Sequence, residues 1–390
     1  MPSRPSAIRR ASSLTACAAA LLCAPAWASS QQSPDQPPAA RVQVTAVVGG
    51  LDHPWSMAFL PDGGGVLITE RPGRLRLLRM PGGLSAPLAG VPQVAAQGQG
   101  GLLDVALSPS FPQDRYVYLS YAESDGSRSG TVVGRGRLSA DAGALDDFQV
   151  LFRQAPKLSQ GLHFGSRLAF DGKGYLFIAL GENNQRPTAQ DLDKLQGKVV
   201  RLKADGSVPA DNPFAGKAGA RPEIWSYGHR NPQGMALNPW TGALWESEHG
   251  PRGGDEINLV RPGGNYGWPL ATYGINYSGQ PIPEAKGETL PGMAPPLYWW
   301  ARSPAISGMA FYDADRFPAW RGSLFIGALA DRELIRLALD GDKVVAEERL
   351  LGERKARIRD VRQGPDGHVY VLTDASPGEL LRLAPLQSGG

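Results

Sequence analysis

The 390-residue sequence has two cysteines, Cys17 and Cys23, and both lie near its start. A chain processed beyond them carries no thiol, so neither disulfides nor cysteine-bound metals hold it together, and a packed core must. No apolar run reaches the roughly 20 residues that a membrane-spanning helix needs. No long segment shows the 3.6-residue period of an amphipathic helix. Blocks of Lys and Arg are missing too, and with them the usual footprint of nucleic acid or of an anionic membrane surface. Histidine is scarce: His53, His163, His229, His249 and His368 are the whole supply.

The opening residues, 1–28, have the make-up of a secretory signal. Arg4, Arg9 and Arg10 precede a short apolar run from Leu14 to Cys23, and Ala26-Trp27-Ala28 offers a small-residue cleavage site. Removing that segment takes away three arginines and no acid, so the formal net charge of +3 falls to zero. Residues 29–40, polar and proline-rich, read as a disordered leader. Residues 41–390 read as one domain, and the expected location is the periplasm.

What the chain does have is a recurring phrase. A small apolar triplet is followed by a turn with Pro, Asp or Gly and then by an aromatic or β-branched run. The triplets begin at Met57, Val105, Leu168, Met235, Met309 and Val361, and the first is followed by Val66-Leu-Ile-Thr69, the third by Tyr175-Leu-Phe-Ile-Ala179. Six copies at intervals that fit a four-stranded unit plus loops predict an all-β, six-bladed β-propeller with four-stranded antiparallel blades. A β-sandwich or barrel has a similar strand content but does not require six matched phrases. Little chain remains after Val361, so the N-terminal strand, Arg41–Val48, is expected to complete the last blade and close the ring.

Chemistry concentrates between Trp225 and Pro269. That stretch holds Arg230 and Asn231, the carboxylates Asp255 and Glu256, and two glycine-rich bends. Such bends bring carbonyls and donors together, which suits an anionic ligand held beside a hard, oxygen-seeking cation. His163 stands just before the third inner strand, where a neutral imidazole could take a proton from an alcohol. Arg357 and Arg359 share one face of an extended segment and repel each other unless an anion lies between them.

At GQGGLLDVALSP, HFGSRLAF, GHRNPQG, EHGPRGGDEINL and GGNYGWP the chain resembles the soluble quinoprotein sugar dehydrogenases. ENNQRPTAQDLDKLQGKVVRL and YGINYSG bring it nearest their aldose sugar dehydrogenase branch, and the likeness spans roughly Val42 to Pro385. The resemblance implies pyrroloquinoline quinone (PQQ) and calcium as cofactors and oxidation of aldoses at the anomeric carbon to lactones. His163 would be the base and a hydride would pass directly to the PQQ C5 carbon. It further implies that Gln99 binds PQQ and that Arg230 and Asn231 meet the reactive quinone oxygens, with Arg230 counted among the catalytic groups. Arg357 and Arg359 would meet PQQ carboxylates, and Tyr277 would line the same pocket. Gly250 and Pro251 resemble carbonyl ligands of the quinone's calcium, Glu256 and Tyr266 ligands of a structural calcium, and Trp300 an aromatic beside the sugar. Relatives place a Lys at Ala330 and a polar residue at Leu162; the first change predicts weaker PQQ binding, unless Arg332 compensates, and the second looser sugar contacts. Partners would be small aldoses, which the apolar Leu162–Trp300 wall should accept broadly, and an unidentified electron acceptor. A secreted propeller used only for binding, or a calcium-dependent lactonase-type hydrolase, shares the fold without the redox chemistry.

Overall fold

The computed structural model describes residues 1–2, 41–159 and 161–386. The expected signal segment and leader lie outside the described residues, apart from residues 1 and 2. Six four-stranded antiparallel sheets follow one another along the chain. Their inner strands are Pro54–Phe59, Leu102–Leu107, Gly165–Phe170, Pro232–Leu237, Ile306–Tyr312 and Ile358–Gln363. Each contains one of the repeated triplets, and each packs on the inner strands of both neighbouring blades, so the six close a ring.

The ring closes as the sequence implies. Val42–Leu51 pairs antiparallel with Gly378–Pro385, Val42 opposite Pro385, and forms the outermost strand of the sixth blade. The core lies between blades. Leu67, Leu75, Leu102 and Leu119 pack between blades one and two, and Trp245, Ile257, Ile326 and Ile335 between blades four and five. Alternation explains this: a strand sends side chains to both faces, and each face of a blade meets a neighbour.

A buried ion network fills the ring axis. Arg167, fully buried, donates to Asp104 at 3.0 Å and pairs with Asp360 at 3.2 Å. Its Nε donates to the Gln233 carbonyl, and its guanidinium lies 4.2 Å from the Trp55 ring centroid. Ser56 donates to Asp104, and a side chain on Gly308 would strike Asp360. All six blades therefore meet at this network. Removing one partner of such a pair costs about 3–5 kcal/mol, because the other charge stays buried alone.

Candidate active site

At one end of the ring, in every blade, the pairing of the inner strand with its neighbour slips near its start. Such bulges re-aim the residues around them. Just past the last pair in four of the six hairpins, two residues face each other: His53 and Arg71, Asn231 and His249, Ala305 and Leu329, Arg357 and Asp374. These ends, with Phe164 and Gln99, enclose a cavity of about 280 Å³. Five of the residues expected to bind a cofactor lie on its wall: Gln99, Asn231, Tyr277, Arg357 and Arg359. Tyr277 stands at the mouth, 73% exposed.

His163 is buried beside this cavity. Its backbone N–H donates to the Gln99 side chain at 2.8 Å, and its Nδ1 donates to Glu182 at 2.8 Å. Glu182 is fully buried and also accepts from the Asn184 N–H, while its second oxygen has no partner. With Nδ1 protonated and bonded to a carboxylate, the neutral ring keeps Nε2 as an acceptor. The backbone here is tense. His163, Ser166, Asn183 and Asn184 all have left-handed φ, a conformation uncommon outside glycine that clusters at functional sites. Gly181 has no side chain to strike the His163 carbonyl.

Arg357 and Arg359 do not wait for an external anion. Asp374 accepts from Arg359 at 2.7 Å and from Arg357 at 3.2 Å. Burial works against the Asp374 charge, but Arg359 and its neighbours hold the carboxyl well below the usual range. His249 faces the same cavity, and burial together with Arg230 and Arg359 pushes its imidazole down to about 3, so it stays neutral. The Nε atoms of Arg230 and Arg359 and Nε2 of His249 are shielded and without partners.

His249 borders both this cavity and a second, smaller void, whereas Arg230, expected at the quinone, lines the second alone. The NH1 of Arg230 donates to the His249 carbonyl, and Arg230 borders that small void with Gly250, Glu248, Glu256, Tyr266 and Trp268. Beneath lie three carboxylates, Glu246, Glu248 and Glu256, each within 3.2 Å of the single amide nitrogen of Asn258. Two amide protons cannot serve three carboxylates. His229 neutralises part of the charge: burial alone would lower its pKa, yet Glu246 and Glu248 raise it to about 10. Burial, then the charge of Glu248, raises Glu256 well above its ordinary value.

The remaining expectations fare unevenly. Gly250 falls on the small void with Glu256 and Tyr266, not on the main cavity's wall, and the Pro251 carbonyl accepts from Ser303. The Tyr266 hydroxyl is committed to Leu259 and Arg261, which leaves its backbone carbonyl as the oxygen for a cation. Trp300 is not beside the cavity. It ends the outermost strand of blade four, and alternation turns it with Tyr298 into the core, where its indole N–H donates to Glu347 at 2.9 Å. Leu162 and Ala330 are absent from the cavity wall, while Leu329 is on it. Sequence reasoning missed Arg71, Glu182, His249 and Asp374. The signal was the hairpin register, since Glu182 lies two residues past Leu180 just as His163 lies two before its partner Gly165.

Residues 51–382 match the glucose/sorbosone dehydrogenase family. The chain is 63% identical over 347 residues to the aldose sugar dehydrogenase YliI of Escherichia coli K12, covering 89% of this chain and 94% of that one. A crystal structure of a glucose dehydrogenase shares 69% identity and superposes with a TM-score of 0.86 over 87% of this chain and 99% of the other. The PQQ-bound form of an aldose sugar dehydrogenase from Streptomyces coelicolor, at 29% identity, has a TM-score of 0.72 over 89% of this chain and 99% of that one.

Proposed function

The chain belongs to the glucose/sorbosone dehydrogenase family, and from that premise we propose that it is a PQQ- and calcium-dependent dehydrogenase that oxidises aldoses at the anomeric carbon. The observation that carries the proposal is His163, backed by buried Glu182, beside a cavity lined by more guanidinium than carboxylate.

The residues fit both cofactors. PQQ carries three carboxylates, and the cavity offers Arg357, Arg359 and shielded donors without partners on Arg359 and His249. The deeper region fits a hard cation: it gathers carboxylates faster than the chain neutralises them, and Glu246 Oε2 and Asn258 Oδ1 are buried without partners. Glu256 and the Tyr266 carbonyl would hold a calcium there, and the Gly250 and Pro251 carbonyls are the proposed ligands nearer the quinone. When bound, PQQ supplies the carbon that accepts the hydride, and calcium supplies Lewis acidity.

The chain's own contribution is proton removal and positioning. Nε2 of His163 takes the anomeric hydroxyl proton, and Glu182 stabilises the imidazolium that forms and fixes its tautomer. Gln99 orients the His163 loop through its backbone N–H. Glu248 accepts from the backbone N–H groups of Arg230 and Asn231 and so holds that pair between the two regions. Burial keeps His249 neutral and keeps water from the reacting groups.

The proposal extends to export: residues 1–28 act as a secretory signal and the domain works in the periplasm. Among the described residues no helix is long and apolar enough to cross a membrane. The test is to add PQQ and calcium to purified protein and follow dye reduction with an aldose. Activity that appears only with both cofactors supports the reading. A protein that leaves the PQQ spectrum unchanged and reduces no dye overturns it.

A further inference from the structure

The cavity's charges do not balance. Its wall carries three guanidiniums, on Arg71, Arg357 and Arg359, and one carboxylate, Asp374. Asp374 is fully engaged, since Arg359, Arg357 and His53 all contact it. Arg71 has no carboxylate among the described residues, and its guanidinium makes one long contact, 3.4 Å from NH1 to the Gly98 carbonyl.

The Arg71 backbone is nonetheless fixed in place. Its N–H donates to the His53 carbonyl at 3.1 Å, and its own carbonyl accepts from Leu102 at 2.9 Å. Gly101, with φ +135°, lets the second blade close against Arg71, where any side chain would strike its carbonyl. The ring of His53 in turn reaches Asp374 at 3.2 Å. One chain of contacts therefore sets the free guanidinium and the paired ones around the same space. A half-buried cation kept near two others with so few acceptors is held against repulsion, and a polyanion relieves that cost.

We propose that Arg71 is a cofactor-binding residue, supplying the guanidinium for a PQQ carboxylate that Arg357 and Arg359 do not serve. This rests on the PQQ reading above. It assigns to the first blade the charge that relatives place at the position of Ala330. Ala330 and Arg332 are both exposed and neither lies on the cavity wall, so Arg332 is not the substitute.

The test is a PQQ titration of the full-length apoprotein at fixed calcium, read by fluorescence quenching, for wild type, Arg71→Gln and Arg71→Lys, with thermal melting of each apoprotein. Loss of a charge-assisted hydrogen bond should weaken PQQ binding by about 10- to 150-fold in Arg71→Gln. Arg71→Lys should retain part of the affinity, and the melting temperature of Arg71→Gln should stay level or rise as repulsion is relieved. If Arg71→Gln binds PQQ like wild type, the proposal is wrong. If it melts lower and binds PQQ unchanged, Arg71 is a structural residue and the proposal is equally wrong. If wild type itself takes up no PQQ, the failure lies with the PQQ reading, which the proposal cannot outlive.

Discussion

The two spaces that meet at His249 ask for opposite things. Above it, Arg71, Arg357 and Arg359 face one carboxylate, Asp374. Below it, Glu246, Glu248 and Glu256 crowd around Asn258 with one imidazolium, His229. The upper space can hold a molecule, while the lower void is only about 20 Å³. A surplus of positive charge around open room is a binding site, because relief arrives with the ligand. A surplus of negative charge around so small a void is a structural matter, because relief must come from an ion or a proton and shows as stability. Glu248 joins the two, with one oxygen on the backbone of Arg230 and Asn231 and the other on Asn258.

The largest effect should come from removing the calcium proposed for the lower region. Exhaustive chelation should abolish activity and lower the melting temperature, and calcium should restore both. At a hundredfold excess over its dissociation constant, a ligand bound only by the folded state adds about 2.7 kcal/mol. Glu256→Gln should lose most of that calcium-dependent increment, measured by calorimetry with and without the ion. Equal stability after complete chelation would mean that the carboxylates keep protons instead, and the contrast would collapse.

His163 belongs to neither surplus, so its loss should separate chemistry from binding. His163→Ala should cut turnover at least about 100-fold while PQQ affinity and the calcium-dependent melting shift hold. Turnover within a few-fold of wild type would remove it as the base. Glu182→Gln should act more mildly, lowering kcat by about 10-fold or more through the wrong tautomer, with KM little changed. A pure KM effect would show that Glu182 shapes the pocket rather than the proton. The smallest effect concerns the sugar. The wall's donors, Arg357, Arg359 and His249 among them, are those the quinone would take, which would leave apolar Leu103, Phe164 and Leu329 for the sugar, and strong discrimination needs buried donors left unpaired by the wrong substrate. Epimeric aldoses should therefore differ in kcat/KM by less than about 10-fold, as a kinetic panel would show.

The propeller was legible because the inner strand is the most repetitive part of each blade. Five of the six share one burial pattern, four buried residues and then two half-buried. Of the site, Gln99, Asn231, Arg357 and Arg359 were legible because they precede or begin those strands. Arg71, Glu182, His249 and Asp374 follow the second strand of their hairpins, where loops vary and no phrase repeats. Only the register places them opposite the first group. Trp300 stands apart from both groups: it lies in an outer strand, and its indole N–H meets a buried carboxylate there.

The plug of Arg167, Asp104 and Asp360 has a kinetic consequence. It occupies the ring axis, while Tyr277 stands on the exposed side of the cavity. On the proposed reading, a quinone seated on the floor would be covered by the sugar above it, and a small acceptor entering from that side would wait until the product had left. The oxidative and reductive halves of a turnover then alternate and cannot overlap, so initial-rate plots at several acceptor concentrations should run parallel.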